Sequence, residues 1–218
     1  MTISAAIRYE LGNEHTYDFV EGVVPWEPCK STLSLLGSEA SDVRVAVAIN
    51  MNEPTFSFCD PEEPQSCRQA ARDLEEYIKE EGPFDGIIGF SMGAAMALSW
   101  LVNWFRSTEG SGSDAVPFKV AIFFSNAIQP YDHDELNRGH IAHLDSAQVG
   151  KVIDIPTAHI WGSADPQEDQ ARWAVDFCNP EKKSIFVHAK GHEIPNSVGD
   201  TISIAKVVNR AICLVQGK

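Results

Sequence analysis

The chain has 218 residues, 44% of them hydrophobic, and carries 17 Lys and Arg against 31 Asp and Glu, for a formal net charge of −14. That length supports one domain over residues 1–218 with a substantial core. The negative charge repels phosphate backbones and anionic lipid surfaces, which excludes nucleic acid and acidic membranes as partners. The first eight residues lack the basic stretch, long apolar stretch and small-residue cleavage site of a secretory signal. The five cysteines, Cys29, Cys59, Cys67, Cys178 and Cys213, are odd in number and lack metal-site spacing, so they read as free thiols in a reducing, cytoplasmic setting.

In chain order, residues 2–11 have helical spacing (Ile3, Ala6, Ile7, Leu11), with Gly12 as the stop. Residues 16–21 (Thr-Tyr-Asp-Phe-Val-Glu) are β-rich and are predicted to form a strand closed by Gly22. The sequence is then loop-rich to about residue 65, except for residues 43–49, which alternate like a strand. Residues 64–81 predict a helix with a stripe of Ala70, Leu74, Tyr77 and Ile78, ended by Gly82-Pro83. Residues 86–105 are uncharged and long enough to span a membrane, but Gly89, Ser91, Gly93 and Ser99 divide them into a strand, a tight turn and a buried helix. After a flexible loop at 108–114 come a strand at 119–125, an irregular polar stretch at 126–150, a strand at 157–161, a helix at 167–178, a strand at 184–187 and a helix at 201–215. This alternation predicts an α/β fold, a mostly parallel sheet with helices on both faces. Its functional groups belong on loops at the carboxyl ends of the strands.

The strongest motif is Gly89-Phe90-Ser91-Met92-Gly93, with an apolar strand before it and a helix rich in small residues after it. A sharp strand-to-helix turn leaves little room for side chains at the flanking glycines and lifts the serine above the sheet as a nucleophile. The backbone N–H of Met92, at the helix start, is the candidate oxyanion donor. A serine hydroxyl needs a histidine to accept its proton and a carboxylate to hold that histidine, in the chain order Ser, acid, His. His192, after the last strand and beside Gly191, is the predicted base. His188 competes but continues the strand. Asp165, before Pro166, is the predicted acid; its bland role is a helix cap, and Glu168 and Asp169 are alternatives one turn into the helix.

His140 and His143 have helical ligand spacing but no third ligand, so they read as polar surface; no metal and no cofactor are expected. Trp100, Trp104 and Phe105 read as core. Phe90, Met92, Asn126 and Ile194 are the candidate substrate contacts, and residues 126–150 are expected to cap the site.

At these residues the chain resembles the fungal serine hydrolase (FSH) family of the α/β-hydrolase superfamily, including members found with fungal polyketide synthases as product-releasing hydrolases or thioesterases. The likeness runs through residues 16–22, 80–86, 89–93, 159–166 and 191–195. It implies a Ser91, Asp165, His192 triad acting on acyl esters or thioesters of small molecules, free or linked to a carrier or CoA. The chain departs from the family at its start. Members begin with an apolar strand running into a His-Gly loop that supplies a second oxyanion donor, and neither is evident. Residues 43–49, or a segment of a second subunit in a homodimer, are expected to fill the place; a gene prediction that starts too late is the other explanation. Loss of one oxyanion donor costs about 10²- to 10³-fold in turnover. The alternatives to hydrolysis are therefore a cyclisation, aldol-type or elimination step using His192 as acid and base, and a binding module without catalysis.

Overall fold

The structure, a computed structural model, describes residues 5–25, 55–108 and 116–215. Residues 43–49 and most of the 108–114 loop lie outside the described residues.

Helix α1 (Ala5–Leu11) ends at Gly12, whose φ of +91° only glycine adopts without strain. The strand expected over residues 16–21 does not form. A strand needs a neighbour for its backbone, and no ladder among the described residues reaches this segment. It is tied instead by side chains, with the Tyr77 hydroxyl donating to Asp18 Oδ2 at 2.6 Å. The chain then makes a two-residue antiparallel pair of β1 (Val24–Pro25) with β2 (Phe56–Ser57).

Helix α2 (Pro64–Glu81) starts with Pro64, where a missing N–H costs nothing, and is capped by Glu63, whose side chain accepts the Gln65 N–H at 3.1 Å. Next come β3 (Gly86–Phe90), α3 (Met92–Thr108) and β4 (Val120–Phe124). The polar stretch holds two short helices, α4 (His133–Asn137) and α5 (Ser146–Val149), each capped by an aspartate, Asp132 and Asp145. The chain closes with β5 (Thr157–Gly162), α6 (Glu168–Asp176), β6 (Lys183–His188) and α7 (Val198–Val215).

The main sheet runs β3-β4-β5-β6, all parallel, with Phe90 level with Phe124 and Phe124 level with Ile160. Strand β4 is buried on both faces, as a parallel strand covered by helices must be. Its Val120, Ile122 and Phe124 pack with Ile7 of α1 and with Ile204, Val208 and Ala211 of α7. Its Ala121 and Phe123 point the other way, into a cluster with Leu98, Trp100 and Leu101 of α3, Ile78 of α2 and Ala174 of α6. Trp104 and Phe105 pack against that second cluster, as their spacing predicts. Burying this apolar surface at about 25 cal/mol per Å² is what holds the helices to the sheet. The residue 86–105 run thus resolves into β3 and α3, and no helix among the described residues is long and apolar enough to cross a membrane.

The first described element is a helix, and no strand precedes it among the described residues. The outer edge of β3 has no ladder partner among the described residues, and its Ile88 is exposed.

Candidate active site

Ser91 follows β3 directly and has a φ of +54°, the left-handed conformation that a sharp turn into a helix imposes. Two backbone bonds hold it there: its N–H donates to Phe124 O at 2.9 Å, and its carbonyl accepts from Ala95 N–H at 3.1 Å. Gly89 is indispensable to the turn, since a Cβ there would sit 2.5 Å from Ala94 Cα and N. Gly93 is less constrained; its Cβ would meet only the Phe58 ring, at 3.3 Å.

His192 reaches the serine from the loop after β6. Its Nε2 lies 2.8 Å from Ser91 Oγ, and its Nδ1 lies 2.8 Å from Asp165 Oδ2. With a carboxylate on Nδ1, that nitrogen carries the proton, and Nε2 is left to accept from the serine hydroxyl. The Phe90 ring packs against the imidazole with centroids 5.2 Å apart. The Asp165 side chain is fully buried, and its Oδ1 accepts the Gln167 N–H at 2.8 Å. Asp165 therefore caps the turn before α6 and reaches His192 at the same time. Burial disfavours its charge, but hydrogen bonds from His192 and the Gln167 N–H, the imidazole's charge and the Ser125 hydroxyl outweigh it, so the carboxyl sits below its ordinary value.

The competing residues are engaged elsewhere. His188 is buried, its Nδ1 accepts the Lys190 N–H at 3.2 Å, and burial pushes its pKa down. Glu168 is bound by Arg172 at 2.6 Å. Asp169 lies on α6, in the first turn. His140 is paired with Glu135, and His143 with Gln129 O and the Tyr131 ring.

Met92 opens α3, so its N–H belongs to the first turn, where helix amides have no intrahelical acceptor. Its side chain packs with Phe58 and Met96 on one flank of the serine, while Phe90 and Ile194 pack on the opposite face of the sheet. Asn126 is buried, with Nδ2 donating to Ile128 O at 2.9 Å and Gln170 O at 3.3 Å.

Two features escape sequence reading. Gly191, beside the histidine, has room for a side chain, since a Cβ would find its nearest neighbour, Ala164 O, at 3.7 Å. Gly162 does not: a Cβ there would lie 2.0 Å from Lys190 O and 2.4 Å from Gly191 O. The histidine loop crosses β5 over Gly162 and is pinned by Ser163 N–H to His188 O at 2.8 Å and by Ala164 N–H to Lys190 O at 3.1 Å. A glycine ending a strand is a signal of such a close approach. The second feature is Ser125, buried at the end of β4 with a φ of +42°, a conformation no sequence pattern announces for serine.

A parallel sheet covered by helices on both faces, with a serine on a left-handed turn between strand and helix, defines an α/β hydrolase. The family described as Serine hydrolase (FSH1) matches residues 3–203, and the chain belongs to that family. It is 32% identical over 217 residues to Esterase FPY3 of Fusarium mangiferae, covering 96% of this chain and 90% of that protein. It is 34% identical to Hydrolase FUB4 of Fusarium oxysporum f. sp. lycopersici, covering 93% and 89%. Hydrolase phiM of a fungal species is 34% identical over 151 residues, 67% of this chain and 65% of that protein. Among solved structures, Zea mays acyl-protein thioesterase 2 is similar over 73% of this chain and 74% of its own, at 19% identity and a TM-score of 0.47.

Proposed function

We propose that the protein is an esterase or thioesterase for small-molecule acyl substrates, with Ser91 as nucleophile, His192 as general base and acid, and Asp165 as the group that orients His192. The observation that carries this reading is the unbroken line Ser91 Oγ, His192 Nε2, His192 Nδ1, Asp165 Oδ2, with both contacts at 2.8 Å. Ser91 Oγ attacks the acyl carbonyl as His192 Nε2 takes its proton, and the Met92 N–H stabilises the oxyanion at the start of α3. His192 then returns the proton to the departing alcohol or thiol, which leaves Ser91 acylated. Water, deprotonated by the same nitrogen, releases the acid and restores the serine. Phe90, Met92 and Ile194 offer apolar contact to the acyl group, and residues 126–150 cover it. The names of the relatives, esterase and hydrolase, support the reaction class.

The test is labelling with a fluorophosphonate, followed by turnover of p-nitrophenyl butyrate and of a short acyl thioester. Wild type should label and Ser91→Ala should not; a wild type that never labels refutes the reading. Labelling without turnover of either ester class would favour a non-hydrolytic step using His192. That second reading draws on the outer edge of β3, which has no ladder partner among the described residues and is the side from which the family's first strand and its second oxyanion donor would come.

A further inference from the structure

The three strand ends that carry the site stand side by side: Ser91 after β3, Ser125 after β4, and the Asp165 turn after β5. Among the described residues only Ser91 and Ser125 combine a side chain with positive φ, at +54° and +42°. In Ser91 that conformation is explained by the turn it makes into α3. Ser125 opens no helix, and glycine would hold its backbone at no steric cost. Its N–H donates to Ile160 O at 2.7 Å, so its main chain is locked to the strand that leads to Asp165. Its side chain is shut away, with the residue 1% exposed and Oγ without a hydrogen bond of good geometry to any described group. A buried hydroxyl aimed at no acceptor is costly, and such groups persist where they serve a site.

The Asp165 carboxylate, at the next strand end, is the buried anion beside this hydroxyl. Each of its oxygens has one donor, His192 on Oδ2 and Gln167 N–H on Oδ1, although an ionised carboxylate has about four acceptor positions. We propose that Ser125 is a positioning residue whose hydroxyl donates to the Asp165 carboxylate, fixing its plane so that Oδ2 faces His192. The proposal rests on the reading of Ser91, His192 and Asp165 as a catalytic unit, and adds to it a fourth side chain that touches neither substrate nor nucleophile. The Ser125 hydroxyl is also one of the groups that help keep Asp165 charged against its burial. Other titratable groups near Asp165 are His192, which bonds it, and His188, which burial keeps neutral; Glu168 on α6 is taken up by Arg172.

The experiment compares wild type, Ser125→Ala and Ser125→Gly by the rate of fluorophosphonate labelling across pH 5 to 9, and by kcat and KM for p-nitrophenyl butyrate. Both variants delete the hydroxyl, but only glycine relieves the positive φ, so it remains folded if alanine does not. Losing a donor to the carboxylate should move the acid limb of the labelling profile up by about one pH unit in both variants. It should also lower kcat about tenfold with KM unchanged, as for a group that only orients the base. An acid limb that stays in place in both variants, or moves in Ser125→Ala alone, overturns the proposal, because strain and not the hydroxyl would then be at work. Failure of the underlying reading looks different: wild type itself would not label at Ser91, and the positioning role would fall with it.

Discussion

Exchanging Gly162 for alanine should disable the site without touching any reacting group. The added methyl would begin 2.0 Å from Lys190 O and 2.4 Å from Gly191 O, both main-chain atoms that cannot rotate aside. To reach ordinary contact at about 3.4 Å, the loop carrying His192 must withdraw by about 1.4 Å. Transmitted to His192, that withdrawal would stretch its 2.8 Å contact with Ser91 Oγ beyond hydrogen-bond range. Misplacement of about 1 Å typically costs about 100-fold in rate, and the crowding itself about 1–3 kcal/mol of stability. The assay is kcat/KM for p-nitrophenyl butyrate, with urea unfolding to confirm that the variant is folded at assay temperature. Gly191→Ala is the paired control, since its methyl would find nothing nearer than 3.7 Å. We expect Gly162→Ala to lose about 100-fold and Gly191→Ala to stay within about fivefold. Equal losses in the two variants, or a folded Gly162→Ala with nearly full activity, would show that the loop crossing does not set the position of His192.

Asp165→Asn should leave the fold intact but let the imidazole take the wrong tautomer, lowering kcat about 10⁴-fold; a loss below tenfold would remove Asp165 from the site. His159, wholly buried in β5, has its pKa pushed down by burial to about 3, so the native protein refuses a proton that the unfolded chain accepts below about 6.5. Stability should therefore be complete above pH 6.5 and fall by about 1.4 kcal/mol per pH unit as the pH drops from there toward 3. Urea midpoints of wild type and His159→Leu should diverge over that window, and parallel curves would refute the assignment. Of the described thiols, Cys213 is exposed while Cys59, Cys67 and Cys178 are buried, with burial pushing Cys178 up to about 12. Ellman's reagent should accordingly reach Cys213 in the native protein and the other three only on unfolding.

What was legible in the sequence was whatever depends on neighbours along the chain. Strands β3 to β6 and helices α3 and α6 follow from local periodicity, whereas the short helices α4 and α5 within the irregular stretch do not, and Gly89 to Gly93 states its turn in five residues. The placing of Asp165 and His192 beside Ser91 is legible because the order of strands dictates which loops meet there. The segment at residues 16–21 misled because its β-rich composition is local while a strand is a partnership. Gly162 was hidden for the same reason, since its need for a bare backbone arises from Lys190 and Gly191, some 28 positions on. Ser125 gave no signal because its conformation is imposed by what surrounds it.

The backbone bonds from Ser91 N–H to Phe124 O and from Ser125 N–H to Ile160 O extend the sheet's ladder one rung past the ends of β3 and β4. Ser91 is thus mounted on the frame of the molecule, one peptide beyond the end of β3 and bonded to the fully buried β4. Residues 126–150 lie outside this ladder, so they can be lengthened, trimmed or exchanged while this last rung keeps its alignment. Under the proposed function, selectivity would reside in that segment and reactivity at the end of the ladder, so altering the first would not require rebuilding the second.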